Sequence, residues 1–137
     1  VSCGRKAGGV ARDGAPPHPF HREEPPVTQY ITQNHPGGAL PLTFPFDLPI
    51  SGDVTLAFSG SCWSAFAKAN CGFAVYLDDK HIGDVPLYFN NANQHQTLST
   101  YFFPVNIDFG QHAIKLLGIT DTTRCDQNDT ISLWIVD

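Results

Sequence analysis

From residue 27 onward, apolar and polar positions alternate with a period of two. Val27, Gln29 and Ile31 take turns with Thr28, Tyr30 and Thr32. The stretch PLTFPFDL places Leu42, Phe44, Phe46 and Leu48 on one side, and its prolines suggest a sheet edge. DVTLAFSG puts Val54, Leu56 and Phe58 on one face, with Thr55 and Ala57 opposite. FAVYL repeats the pattern at Phe73, Val75 and Leu77, and a turn at Asp78-Asp79-Lys80 leads into HIGDVPLYF. FFPVNIDF aligns Phe103, Val105, Ile107 and Phe109; Gly110-Gln111 turns the chain into HAIKLL, with Ile114 and Leu116 inward. TISLWIV closes the chain, with Ile131, Leu133 and Ile135 against Ser132, Trp134 and Val136. Alternation over five to eight residues predicts half-buried strands.

About eight strands and no amphipathic helix follow; residues 63–69 offer one helical turn at most. Many short strands separated by Gly, Pro and Asn clusters predict an all-β, two-sheet antiparallel β-sandwich of jelly-roll type. Residues 1–26 are different material, rich in Gly, Pro and charge and without an apolar period. Such a segment cannot offset its ordering entropy by burial, so an extended N-terminal arm is expected before a β-sandwich domain at 27–137.

Composition narrows the partners. The chain has 137 residues, which suits one domain, and a net charge of −5 with no basic run. That balance argues against nucleic acid and anionic membrane surfaces. No segment is apolar for long enough to insert in a bilayer, and none reads as a signal peptide. Methionine is absent and the chain opens at Val1. Either a leader was removed or an initiator methionine was trimmed. The four cysteines suggest a local Cys62–Cys71 disulfide with Cys3 and Cys125 as a long-range pair, or else buried thiols. No C-x-x-C pair supports zinc.

The segment SGSCWSAFAK, residues 59–68, resembles the nucleophile stretch of papain-type cysteine proteases. That family needs a His and an Asn roughly 130–150 residues downstream. Only 75 residues follow Cys62, Ser59 stands where the family has cysteine, and residues 53–58 lead in as a strand. The upstream glutamine is missing as well. There is also no G-x-S-x-G, phosphate-binding glycine loop or H-E-x-x-H. The expectation is a protein that is not an enzyme. The histidines stand singly; His112 shares a face with Ile114 and Leu116 and reads as a satisfied side chain at a sheet margin.

Two loops hold candidate binding chemistry. In TDTTRCDQNDT, residues 120–130, Asp126, Asn128 and Asp129 are hard oxygen ligands of the kind calcium takes, although the EF-hand pattern is incomplete. An Asx-type turn is the competing reading. Asn128-Asp129-Thr130 is also a glycosylation sequon. In LYFNNANQHQT, residues 87–97, Tyr88, Asn90, Asn91, Asn93 and His95 combine an aromatic with planar amides suited to sugar hydroxyls. An ordinary polar connection competes with that reading. Trp63 would join this candidate surface if it lay at the same end.

With FAVYLDDKHIGDVPLYF, FGQHAIKLL and TDTTRCDQNDTISLWIV in view, residues 53–136 resemble the jelly-roll heads of the C1q/TNF-like type. Similar heads occur at phage tail-fibre tips and in some bacterial lectins. The resemblance implies a homo-oligomer, with a trimer favoured, no catalysis, and binding of a protein receptor or glycan through loops or inter-subunit grooves. No ligand motif carries over residue by residue, and the collagen-like repeat and coiled-coil heptad are absent. The first expectation is a recognition domain of a virion or cell-surface assembly, extracellular or on the virion surface. Its recognition loops would be 60–71, 88–97 and 120–130. The alternative is a capsid decoration or shell subunit laced by residues 1–26, and the third is a secreted soluble lectin.

Overall fold

The computed structural model describes residues 28–137; the arm, Cys3 and Val27 lie outside the described residues. Ten strands follow: β1 (Gln29–Pro36), β2 (Leu42–Leu48), β3 (Gly52–Ser64), β4 (Ala69–Leu77), β5 (Lys80–Phe89), β6 (Gln96–Thr97), β7 (Tyr101–Ile107), β8 (Gly110–Gly118), β9 (Thr123–Arg124) and β10 (Thr130–Val136). Eight are long, and β6 and β9 are two-residue pieces beside the far half of β3. All pairings are antiparallel. One sheet runs β1-β10-β3-β7 and the other β2-β8-β4-β5. The first four strands alternate between the sheets, so the chain wraps as a jelly roll. No helix among the described residues is long and apolar enough to cross a membrane.

Each long edge strand carries a proline: Pro36 on β1, Pro45 on β2, Pro86 on β5 and Pro104 on β7. Proline cannot donate to a ladder, so it settles where one side of the strand has no partner. The inner faces supply the core, with Phe44, Phe46, Leu56, Phe58, Phe73, Ile114, Leu116 and Leu133 all buried. Phe58 and Phe73 meet edge to face across the two sheets, at 5.8 Å and 82°. Full burial of a phenylalanine contributes about 2–3 kcal/mol.

Three backbone positions fix the wrap. Asp78 and Asp79 have φ of 50° and 68°, which a two-residue hairpin of the primed type demands. Gly72 has φ of 124°, and a Cβ there would run into the Val85 carbonyl oxygen, with Pro86 Cα at 2.8 Å.

The structure departs from the sequence pattern in four places. β3 continues beyond Gly60 to Ser64, keeping Cys62 in the core and Trp63 on the outer side. Residues 65–68 form bends without a helical turn. A bulge opposite Ile135 and Val136 leaves Tyr30 unpaired, so Gln29 and Ile31 no longer share a face. Phe109, expected in the core, is 71% exposed because β7 ends at Ile107.

Candidate functional site

The wrap brings the 37–41, 65–68, 90–95 and 119–129 connections to one end of the sandwich. Backbone bonds stitch them together: Asn93 N donates to Ser64 O (2.9 Å), Ala65 N to Thr122 O (2.9 Å) and Lys68 N to Asn90 O (3.3 Å). Gly37 N donates to Asp129 O at 2.8 Å, and Gly37 lies flat under the last loop. A Cβ on Gly37 would fall 2.6 Å from Cys125 Sγ and collide with the Asp126 carbonyl.

Asp129 is the hub of this end, and its side chain is fully buried. Its Oδ1 accepts from Ser61 Oγ (2.8 Å) and faces His95 Nδ1 (2.7 Å), while Oδ2 accepts from Asp126 N (2.9 Å). The Ser61 oxygen in turn accepts from Thr130 N at 3.2 Å. A buried carboxylate requires such partners, and here they come from three separate segments. The Asp129 carboxylate can only accept, so His95 Nδ1 is the donor in this contact. Nε2 then points outward, 3.8 Å from Asp126 Oδ2, with side chains 36% and 39% exposed. The Trp63 ring packs on the His95 ring at 5.9 Å between centroids. Trp63 Nε1 is buried and has no hydrogen-bond acceptor among the described residues.

Of the sequence candidates, Trp63, His95, Asp126 and Asp129 therefore meet. Asn128 is nearby but exposed; its backbone N closes an Asx turn onto Asp126 Oδ1 at 2.8 Å. Asn90, Asn91 and Asn93 line the rim, with Asn91 Nδ2 donating to Gln94 Oε1 at 3.3 Å. Tyr88 stands apart, on the outer face of the other sheet beside Asn70. Ser61 carried no sequence signal, because the carboxylate it holds lies 68 positions away.

The donor set restricts the chemistry. His95, Asp126 and Asp129 present ligand atoms within 4.8 Å of one another. Both Asp129 oxygens and Asp126 Oδ1 already accept hydrogen bonds, which leaves His95 Nε2 and Asp126 Oδ2 free. Calcium takes six to eight oxygens, so these residues alone do not form its cage. Ser61 bonds the aspartate and not the histidine, so the three side chains lack the geometry of a hydrolytic triad.

The sequence leaves a Cys62–Cys71 disulfide and buried thiols both open; in the structure Cys62 and Cys71 are free buried thiols on facing sheets. Burial pushes the Cys62 thiol up to about 12, with Cys71, Asp129 and Cys125 adding to the effect. That is the reverse of an activated nucleophile. Burial likewise pushes Cys125 up to about 11; its proposed partner, Cys3, lies outside the described residues. For Cys71, burial works upward, but the hydroxyls of Ser64, Thr122, Thr123 and Thr120 outweigh it and lower the pKa.

A second histidine–carboxylate group occupies the opposite end. His112 Nδ1 bonds the Asp78 carboxylate and Nε2 donates to Asp108 O at 2.6 Å, with the side chain only 12% exposed. Burial opposes its charge, yet bonds to Asp78 and Asp108 raise its pKa above the usual 6.5. His81 is also far from His95; it pairs with Asp84 at 2.7 Å and packs on Tyr76.

No protein-family model matches the chain, and no curated protein matches it. Among solved structures, dimeric latent PorU from Porphyromonas gingivalis is similar at 12% identity and a TM-score of 0.55. The match covers 80% of this chain but 13% of PorU. The EclA C-terminal domain, a sugar-binding protein, is similar at 16% identity over 88% of each chain, with a TM-score of 0.43. A cycloisomaltooligosaccharide glucanotransferase from Paenibacillus sp. is similar at 20% identity, with a TM-score of 0.37, over 81% of this chain and 16% of that one. Likeness at these identities concerns the fold alone, and the resemblance to C1q/TNF-like heads stands at the level of an all-β sandwich.

Proposed function

We propose that this domain is a non-enzymatic recognition module that binds a glycan at its loop end. One observation carries the reading: buried Asp129 clamps His95 over Trp63 and leaves His95 Nε2 and Asp126 Oδ2 facing outward together. A hydroxyl can donate to one of these atoms and, through its oxygen, accept from a neighbouring amide. The exposed Asn91, Asn93 and Gln94 side chains supply such amides along the rim. The clamp is set before ligand arrives, which lowers the entropic cost of binding. The domain would work outside the cell or on a virion surface, where several copies multiply weak single-site affinity.

The test is a glycan array followed by calorimetry on the wild type, His95→Ala and Asp126→Asn. The expected result is a selective glycan whose binding both variants weaken at least about tenfold. Flat binding across the array, or binding indifferent to both substitutions, removes the reading. Repeating the titration in EDTA shows whether calcium contributes, with ligand oxygens completing its shell.

A second reading, a shell or decoration subunit, draws on Phe109. Phe109 is 71% exposed at the hairpin end, and packing against a neighbouring subunit would bury it. Light scattering that finds monomers at every concentration removes it.

A further inference from the structure

The outer face of the β1-β10-β3-β7 sheet carries an aromatic pair that neither the core nor the loop end uses. Phe102, Ala57 and Trp134 occupy one cross-strand row, on β7, β3 and β10 in register. Phe102 is 67% exposed, and Trp134 is partly so. The small Ala57 side chain separates them, so the two aromatics stand two inter-strand spacings apart, about 9–10 Å. Between them is a cleft of about 350 Å³ lined by Ala57, Thr100, Phe102, Trp134 and Val136.

The rows on either side decide what suits this cleft. Toward the loop end the next row holds Ser59, Ser132 and Asn34, with Ser132 Oγ donating to Asn34 Oδ1 at 2.7 Å. On the other side lie Thr55, Pro104 and Val136. None of these three rows includes a charged side chain. An acidic or basic partner therefore finds no counter-charge here. The apolar row is bordered by hydroxyls and an amide toward the loop end and by Thr55, Pro104 and Val136 on the other side, a mix that a second copy of the chain would also fit and that light scattering separates from a sugar site. A neutral sugar fits both features. Its C–H faces pack on aromatic rings, and its hydroxyls exchange hydrogen bonds with Ser, Thr and Asn.

We propose that the Phe102–Ala57–Trp134 cleft is a second binding site, on the sheet face, for a neutral oligosaccharide lying across the strands. It is separate from the loop end: Trp63 and Trp134 are the two tryptophans of the chain, one for each place. Trp63→Phe thus leaves Trp134 as the sole indole emitter, while the His95 ring protons report the loop end by NMR.

The experiment titrates this protein with soluble neutral oligosaccharides of glucose, galactose and mannose, and light scattering follows in parallel. Saturable change in Trp134 emission is expected, insensitive to salt, weakened about tenfold by Phe102→Ala and retained by Phe102→Tyr. Phe102 is exposed enough for both variants to fold. Emission that stays flat for every sugar overturns the proposal, as does a response that survives Phe102→Ala. A dimer that Phe102→Ala dissolves also overturns it and gives the face to a second copy. Shifts confined to the His95 ring would leave the loop-end reading standing while this one falls.

Discussion

The two ends of the sandwich each hold a histidine against a carboxylate, yet the two side chains are used differently. At the hairpin end both ring nitrogens of His112 are taken, by Asp78 and by the Asp108 carbonyl. Asp78 also accepts from Ala113 N at 2.9 Å, so the group locks the β4–β5 turn onto β8. At the loop end His95 spends only Nδ1 on the fold and keeps Nε2 at the surface. The hairpin end is a latch with nothing left over. The loop end has its rigid part underneath, in Asp129, and unspent hydrogen-bonding capacity on top. Recognition chemistry needs that division, because a contact group must be held without being consumed.

The comparison breaks hardest at Asp129. Replacing it with Ala strips Ser61 Oγ, His95 Nδ1 and Asp126 N of their acceptor at once. Urea unfolding should show a loss of about 3 kcal/mol, at the upper range for removing one member of a buried network. A loss under about 1 kcal/mol would mean that the loops hold themselves and Asp129 is not the hub. Gly37→Ala attacks the same end from below by forcing a methyl group against Cys125 and the Asp126 carbonyl. Its cost should be about 2 kcal/mol, and the His95 ring signals should move with it.

His112 sharpens the other side. Its pKa is raised in the fold, so its protonated form is the one the structure holds. That stabilisation is complete below the unfolded value near 6.5 and fades as pH rises through the higher folded value. His112→Gln should therefore cost about 1 kcal/mol near pH 5.5, and the gap to wild type in thermal melts should narrow as pH rises through the raised folded value. A gap that stays constant with pH would show that shape, not charge, fastens this end.

How legible this was in the sequence depends on the range of the interaction. The period-two pattern reads local geometry, so the strands around Phe44, Phe58, Phe73 and Leu133 are visible in it, and Pro45 marks an edge correctly. The pattern fails where one residue changes the phase. The Tyr30 bulge and the early end of β7 before Phe109 are set by partners on other strands. The site is legible in composition but not in arrangement. Asn-, Asp- and His-rich loops announce polar chemistry, yet what makes Asp129 the hub is Ser61 and His95, 68 and 34 positions away. Cys62 and Cys71 are near in sequence yet lie on facing sheets as buried thiols, one of the two outcomes that the sequence leaves open.

The smallest expected change in stability is the most informative. His95→Gln removes a partly exposed side chain that bonds buried Asp129, while Ser61 Oγ and Asp126 N continue to hold the carboxylate. Its cost in urea should stay within about 1 kcal/mol, well below that of Asp129→Ala. Glycan affinity at the loop end should nevertheless fall, because the glutamine amide cannot reproduce an imidazole packed at a tilt against Trp63 with Nε2 toward Asp126. Stability kept and binding lost would separate the holding group from the contacting one. If the two fell together, His95 would be a latch like His112, and the two ends would differ only in exposure.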